Sequence, residues 1–191
     1  AYYYLSEVLK LNVKIIGIDL KKEVIEHCNN ISKKLNFNNL SFIYGDVIDN
    51  ENKDEIDMVI SLHACNTATD IAILKALGWN AKVFFAVPCC QKEINSQLGN
   101  EFLPFMLKHG IIKEKFSTLL TDSIRSEVLE AFGYKSDIVE FISEENTPKN
   151  QLIRAYKTST KLDKEKIKQI EKFTSSLNIK MFLLDEVAKL I

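Results

Sequence analysis

The stretch VKIIGIDLKKEVIEHCNNISKKLNF, Val13 to Phe37, decides the fold. Val13 to Leu20 is a near-continuous apolar run that closes on an acid, Asp19. A run of this kind is how a strand buried on both faces of a parallel sheet reads. The period then changes, and Val24, Cys28, Ile31 and Leu35 fall on one helical face. The alternation recurs outward from there. LSFIYGDV (Leu40 to Val47) and IDMVISLHAC (Ile56 to Cys65) read as strands, and KVFFAVPCC as another. Between the last two, NTATDIAILKAL starts a helix with Thr67 and Asp70 at capping-box spacing and Ile71, Leu74 and Leu77 inward. Ahead of Val13, AYYYLSEVLKLN places Tyr4, Val8 and Leu11 on one helical stripe. The order α-β-α-β-β-α-β predicts an open α/β sheet with helices on its faces.

The second half reads differently. EFLPFMLKHG and LLTDSIRSEVLEAFGY are helical in pattern, with Ile124, Val128 and Phe132 as a stripe. SDIVEFISEENTPKNQLIRAYKT reads as two antiparallel strands around a polar turn. The C-terminal LDKEKIKQIEKFTSSLNIKMFLLDEVAKLI predicts a helix capped by Asp163, a break near Asn178 and a last short helix. We expect residues 1–158 to form one domain and 159–191 a helical extension.

Bulk properties narrow the function classes. The chain is 46% hydrophobic and 27% charged with a formal charge of −1, so any nucleic-acid surface is a local patch. No apolar run approaches the roughly 20 residues of a membrane span, and no secretory signal is evident. Four cysteines, none at CxxC spacing, do not make a disulfide scaffold and predict a reducing, cytoplasmic setting. The chain opens on Ala1 with a helix already under way, which leads us to expect residues upstream.

In open α/β sheets, ligands bind beyond the carboxyl ends of the strands. Those ends here carry Asp19, Asp46, His63 to Asn66, and Pro88 to Gln91. Asp19 can accept hydrogen bonds from both hydroxyls of a ribose, or it can serve as an N-cap. Asp46, with the backbone of Val47, can reach an adenine amino group, or it can be a turn residue. Two such acids, 27 residues apart and each closing its own strand, point to a nucleotide-like ligand.

At these residues the sequence resembles the class I S-adenosylmethionine-dependent methyltransferases. VKIIGIDLKKEVIEHCNNISKKLNF is similar to their second strand and helix, and LSFIYGDV to their third-strand motif. SLHACNTATDIAI, VPCCQKEI and EENTPKNQLIRA resemble a branch of methyltransferase-like proteins, some linked to RNA, including a tRNA 2′-O-methyltransferase. The resemblance covers residues 1–157. It implies a Rossmann-like, mostly parallel sheet with a C-terminal hairpin, S-adenosyl-L-methionine as cofactor and RNA as an acceptor. Asp19, Leu20, Asp46, Val47 and His63 would form the cofactor set. The family's first strand and glycine-rich turn, of the DFGCGKG kind, are absent from these residues. In the family they precede a helix like AYYYLSEVLK, so the segment is expected upstream.

The strands ending near His63 and Val87 should be neighbours, which gathers His63, Cys65, Asn66, Pro88, Cys89 and Cys90. Three readings compete. The cysteines can be small apolar packers beside a satisfied histidine. Alternatively, His63 can act as a general base in a substrate pocket whose wall includes Cys89 and Cys90. A zinc site is the third, though adjacent cysteines in an extended chain point to opposite faces. Asp122 and Arg125 stand one helical turn apart and can pair, while family resemblance implies that they face the pocket. Lys149 and Asn150 can reach substrate or simply make a turn. The lysines near the C-terminus alternate with acids and read as a solvated helix face. An NAD-dependent enzyme using Asp19, and a non-catalytic binding relative of the fold, are the alternatives to a methyltransferase.

Overall fold

The computed structural model describes residues 1–48, 55–62, 64, 67–89, 92–99, 103–142 and 150–191. The chain divides into two compact units, Ala1–Lys53 and Asp54–Ile191.

The first unit holds a π-helical turn (Tyr3–Val8), β1 (Ile15–Asp19), α1 (Lys22–Lys34) and β2 (Leu40–Tyr44). β1 and β2 pair in parallel, from Ile15 opposite Leu40 to Asp19 opposite Tyr44. This is the strand–helix–strand unit that the apolar runs predict. Gly17 is opposite Phe42, and a Cβ there would run into the phenyl ring. Helix α1 meets β2 through an unexpected face. Ile25 and Ser32 are buried, while Val24, Ile31 and Leu35 are exposed and Cys28 is half-buried. The reason is hydrogen bonding. Asn29 Nδ2 donates to the Phe42 carbonyl (2.8 Å) and its Oδ1 accepts from the Phe42 N–H (2.9 Å), so the side chain acts as a strand neighbour to β2. The Ser32 hydroxyl lies 2.8 Å from the Leu40 carbonyl and 3.0 Å from that of Phe37. Satisfying strand backbone takes precedence over burying the apolar stripe. Tyr4, Val8 and Leu11 are exposed as well, in place of the expected inward stripe.

The second unit runs β3 (Met58–Leu62), α2 (Thr67–Gly78), β4 (Val83–Val87), α3 (Lys92–Gln97), α4 (Pro104–Leu107), α5 (Gly110–Ala131), β5 (Tyr134–Glu140), β6 (Gln151–Lys157), α6 (Lys164–Ser176) and α7 (Phe182–Val187). Its sheet order is β3-β4-β6-β5. β3 and β4 are parallel, and β5 and β6 form the expected antiparallel hairpin. The returning strand β6 lies between β4 and β5, so the sheet is mixed. The core joins Phe84 and Ala86 of β4 and Ile153 and Ala155 of β6 to α2, α5 and the C-terminal segment. In α2 the buried face is Ala72, Ile73, Ala76 and Leu77, rotated from the expected one, with Ile71 and Leu74 half-buried. Small alanines there let α2 pack against α7. Residues 159–191 contribute Ile167, Ile170, Met181, Leu183 and Val187 to the same core. Asp163 caps α6 by accepting from the Lys166 N–H (3.0 Å), and Asn178 at φ +53° marks the break before α7. Gly133 ends α5 at φ +84°, and its carbonyl accepts from the N–H groups of Thr158 and Ser159, both at 2.9 Å. Among the described residues no helix is long and apolar enough to cross a membrane.

Candidate active site

In the first unit the parallel register brings two carboxylates to one end of the sheet. Asp19 closes β1 opposite Tyr44, the last residue of β2, and the Gly45 N–H donates to the Asp19 carbonyl (3.2 Å). Gly45 holds φ +153°, which lets the chain turn so that Asp46 follows directly. Asp19 Oδ1 accepts from the Lys21 N–H (2.8 Å), and Asp46 Oδ1 accepts from the Ile48 N–H (3.0 Å). Each carboxylate is thus oriented by backbone two residues on. Asp19 and Leu20 are exposed; Asp46 and Val47 are half-buried. Oriented acceptors at adjacent strand ends suit the hydroxyl and amino donors of a nucleoside. The residues present therefore fit the adenosyl part of S-adenosylmethionine.

In the second unit, Leu62 pairs with Val87, so the segments leaving β3 and β4 start side by side, as expected. Pro88 is buried and Cys89 is half-buried. Ala64 accepts a hydrogen bond at its carbonyl from Thr69 Oγ1 (2.8 Å). His63, Cys65, Asn66, Cys90 and Lys149 lie outside the described residues.

Two expected substrate contacts are turned inward. Arg125 is 1% exposed: its Nε donates to Asp70 Oδ1 (2.7 Å) and its Nη1 to Asp122 Oδ1 (3.0 Å). Burial opposes the guanidinium charge, but the hydrogen bond and charge of Asp70, then those of Asp122, outweigh it and raise the arginine pKa. Asn150 is 2% exposed; its Nδ2 donates to the Ile142 carbonyl (2.9 Å) and its own carbonyl accepts from the Phe141 N–H (3.2 Å), which closes the mouth of the hairpin. Both side chains face protein because each finds its hydrogen-bond partners there. The i,i+3 pairing of Asp122 with Arg125 is present, joined by a carboxylate that capping-box spacing had assigned elsewhere, Asp70.

Helix α3, just beyond the second strand end, carries two residues that sequence reasoning missed. Glu93 Oε1 accepts from the Phe182 N–H (2.8 Å). Gln97 exchanges two bonds with Lys180, donating from Nε2 to its carbonyl (2.7 Å) and accepting at Oε1 from its N–H (2.8 Å). Burial pushes the Glu93 carboxyl above its ordinary range, against the opposing effect of the Phe182 N–H. Their i,i+4 spacing was the available signal, but the partner lies more than eighty residues away.

Comparison with known proteins bears on this arrangement. The chain resembles in structure an rRNA methylase from Streptococcus thermophilus, at 15% identity and TM-score 0.51, over 81% of this chain and 80% of that one. It also resembles a candidate rRNA methylase from Clostridium thermocellum, at 14% identity and TM-score 0.51, over 78% and 74%. At these identities the likeness establishes the fold. No curated protein matches the sequence. A family profile described as a methyltransferase domain matches residues 1–97 of the 191, a span that holds β1 to β4 and both sets of strand ends. The chain belongs to this methyltransferase-domain family.

Proposed function

We propose that this methyltransferase uses S-adenosyl-L-methionine and methylates RNA. The observation that carries the cofactor reading is the pair of oriented carboxylates, Asp19 and Asp46, at the ends of two paired parallel strands. Asp19 would hold the ribose hydroxyls, with Leu20 beside them, and Asp46 with the Val47 backbone would hold the adenine. Bound S-adenosylmethionine would supply a methyl group on a good sulfonium leaving system, so alignment provides much of the acceleration. His63 would contact the cofactor and take a proton from the acceptor atom. Pro88, Cys89 and Cys90 would shape the pocket wall, with Asn66 and Lys149 on the substrate side. The RNA reading is supported by the HAC and PCC motifs and by the activity named for both structural relatives. We assign residues 1–158 to the methyltransferase domain, 159–191 to a helical extension, and a cytoplasmic location on the cysteine usage.

Titration calorimetry with S-adenosylhomocysteine tests the cofactor reading. Asp19→Ala should weaken binding at least about tenfold, as expected for loss of a charge-assisted contact worth roughly 1.5–3 kcal/mol. No heat for the wild type, or equal affinity in the variant, defeats the reading. Transfer of labelled methyl to total RNA compared with total protein tests the acceptor class; label in protein alone defeats RNA.

A further inference from the structure

The first turn of α2 is tied at both ends of its Thr69–Asp70 pair. Thr69, 1% exposed, donates from Oγ1 to the carbonyl of Ala64, just beyond β3. Asp70, also 1% exposed, receives Arg125 Nε from α5 at 2.7 Å. Arg125 is at the same time held by Asp122, one turn before it on α5. Two carboxylates thus share one guanidinium out of solvent. Asp70 Oδ2 is buried and has no hydrogen-bond partner among the described residues.

Stability alone does not account for such a cluster. A buried ion set is commonly no more stable than apolar residues of the same volume, and an unpartnered buried oxygen makes it less so. What the cluster provides is direction. The hydrogen-bonded guanidinium fixes α2 against α5 in one register, and Thr69 transmits that register to the Ala64 backbone. The residue before Ala64 in sequence is His63, to which the methyltransferase reading gives the removal of the acceptor's proton.

We propose that Thr69, Asp70 and Arg125 are positioning residues for the methyl-transfer reaction, acting through the Ala64 backbone, and that Arg125 does not contact substrate. This rests on the methyltransferase reading above. Their role is to hold the chain at Ala64, just beyond β3, against α2.

The test compares Thr69→Val, Thr69→Ser, Asp70→Asn and a core control, Ile153→Val, in the full chain. Ile153 is wholly buried in β6, so its truncation lowers stability without touching the Thr69–Ala64 bond. Amide hydrogen exchange is read at residues 62–72 and, separately, in the β5–β6 hairpin. Thr69→Val and Asp70→Asn should speed exchange at 62–72 by about tenfold and leave the hairpin protected, as local opening does. Thr69→Ser should restore the wild-type rate, and Ile153→Val should not reproduce the local effect. In the transfer assay, kcat should fall at least about tenfold in Thr69→Val while the KM for S-adenosylmethionine stays within about twofold, the pattern of a lost transition-state arrangement. Unchanged exchange at 62–72, equal exchange in the core control, or faster exchange with kcat intact would each overturn the proposal. A wild type that binds no S-adenosylhomocysteine and transfers no methyl group fails the methyltransferase reading, and the exchange pattern still decides whether these residues hold the chain at Ala64.

Discussion

Replacing Arg125 by Met should be among the most destabilising single changes in the chain. The structure supplies the size of the effect. Arg125, Asp70 and Asp122 are each 1% exposed, and the guanidinium serves both carboxylates at 2.7 and 3.0 Å. Removing it leaves two like charges buried, and breaking a buried pair in this way costs about 3–5 kcal/mol. At about 2–4 °C per kcal/mol for a chain of this size, Tm should fall by about 6–20 °C. The sign of the pH dependence follows. Uncompensated, desolvated carboxylates bind protons more readily in the folded than in the unfolded state. Stability of the variant should therefore rise as pH falls from 7 toward about 4, the ordinary carboxylate range. Urea unfolding followed by circular dichroism, at pH 5 and pH 8, measures both. The triple variant Asp70→Leu, Asp122→Leu, Arg125→Met removes these three charges together and should regain most of the loss. A loss below about 1 kcal/mol, a deficit equal at both pH values, or a triple variant no better than the single one would refute the reasoning.

Three further outcomes are expected. Gly133→Ala should cost at least about 2 kcal/mol, because φ +84° disfavours an L side chain and its Cβ would meet the Ser159 carbonyl; a melting shift under a degree would contradict this. Glu93→Gln keeps an acceptor for the Phe182 N–H and removes the charge that burial opposes. Folded Glu93 holds its proton more tightly than unfolded, so its contribution to stability is lost as pH rises through the raised pKa; the variant should melt higher at pH 7.5 and equal the wild type near pH 4. Tyr134→Phe removes the bond to the Ala81 carbonyl (2.6 Å) and should cost about 1–3 kcal/mol near neutral pH. Burial pushes the Tyr134 phenol up to about 12, so the wild type should lose stability relative to the variant as pH climbs from about 10 to about 12, and parallel curves there would count against it.

The elements legible in the sequence are those whose signal is local. Continuous apolar runs locate β1, β3 and β4, the polar turn separates β5 from β6, and the Asp163 cap and the Asn178 break bound α6. The failures share another cause: a distant partner changed what a residue does. Asn29 and Ser32 read as the polar side of α1, yet they are the side that faces β2, because they satisfy its backbone. The position of β6 between β4 and β5 depends on a pairing across more than sixty residues, which no local pattern encodes. Asp70 did leave a trace. It is an acid amid the mostly apolar stretch TATDIAIL, which a capping box explains too readily. Arg125 left one as well, beside the Ile124 and Val128 stripe.

The polar residues of this chain separate by the range of their hydrogen bonds, and that separation is informative about function. Among the described residues the Asp19 and Asp46 carboxylates bond to backbone two residues ahead, at Lys21 and Ile48, so orienting each uses one oxygen and leaves the other for a ligand. Asp70 reaches Arg125 across 55 positions, Gln97 reaches Lys180 across 83, and Glu93 reaches Phe182 across 89. Side chains of this second kind cannot turn to a ligand without releasing a tertiary contact that holds two elements together. A carboxylate fixed by its own turn is ready for a ligand at no such cost, because the turn persists whether or not the ligand is bound. On this criterion the cofactor assignment to Asp19 and Asp46 is stronger than composition or motif alone makes it. The same criterion moves Arg125 and Asn150 from the substrate to the scaffold of the second unit.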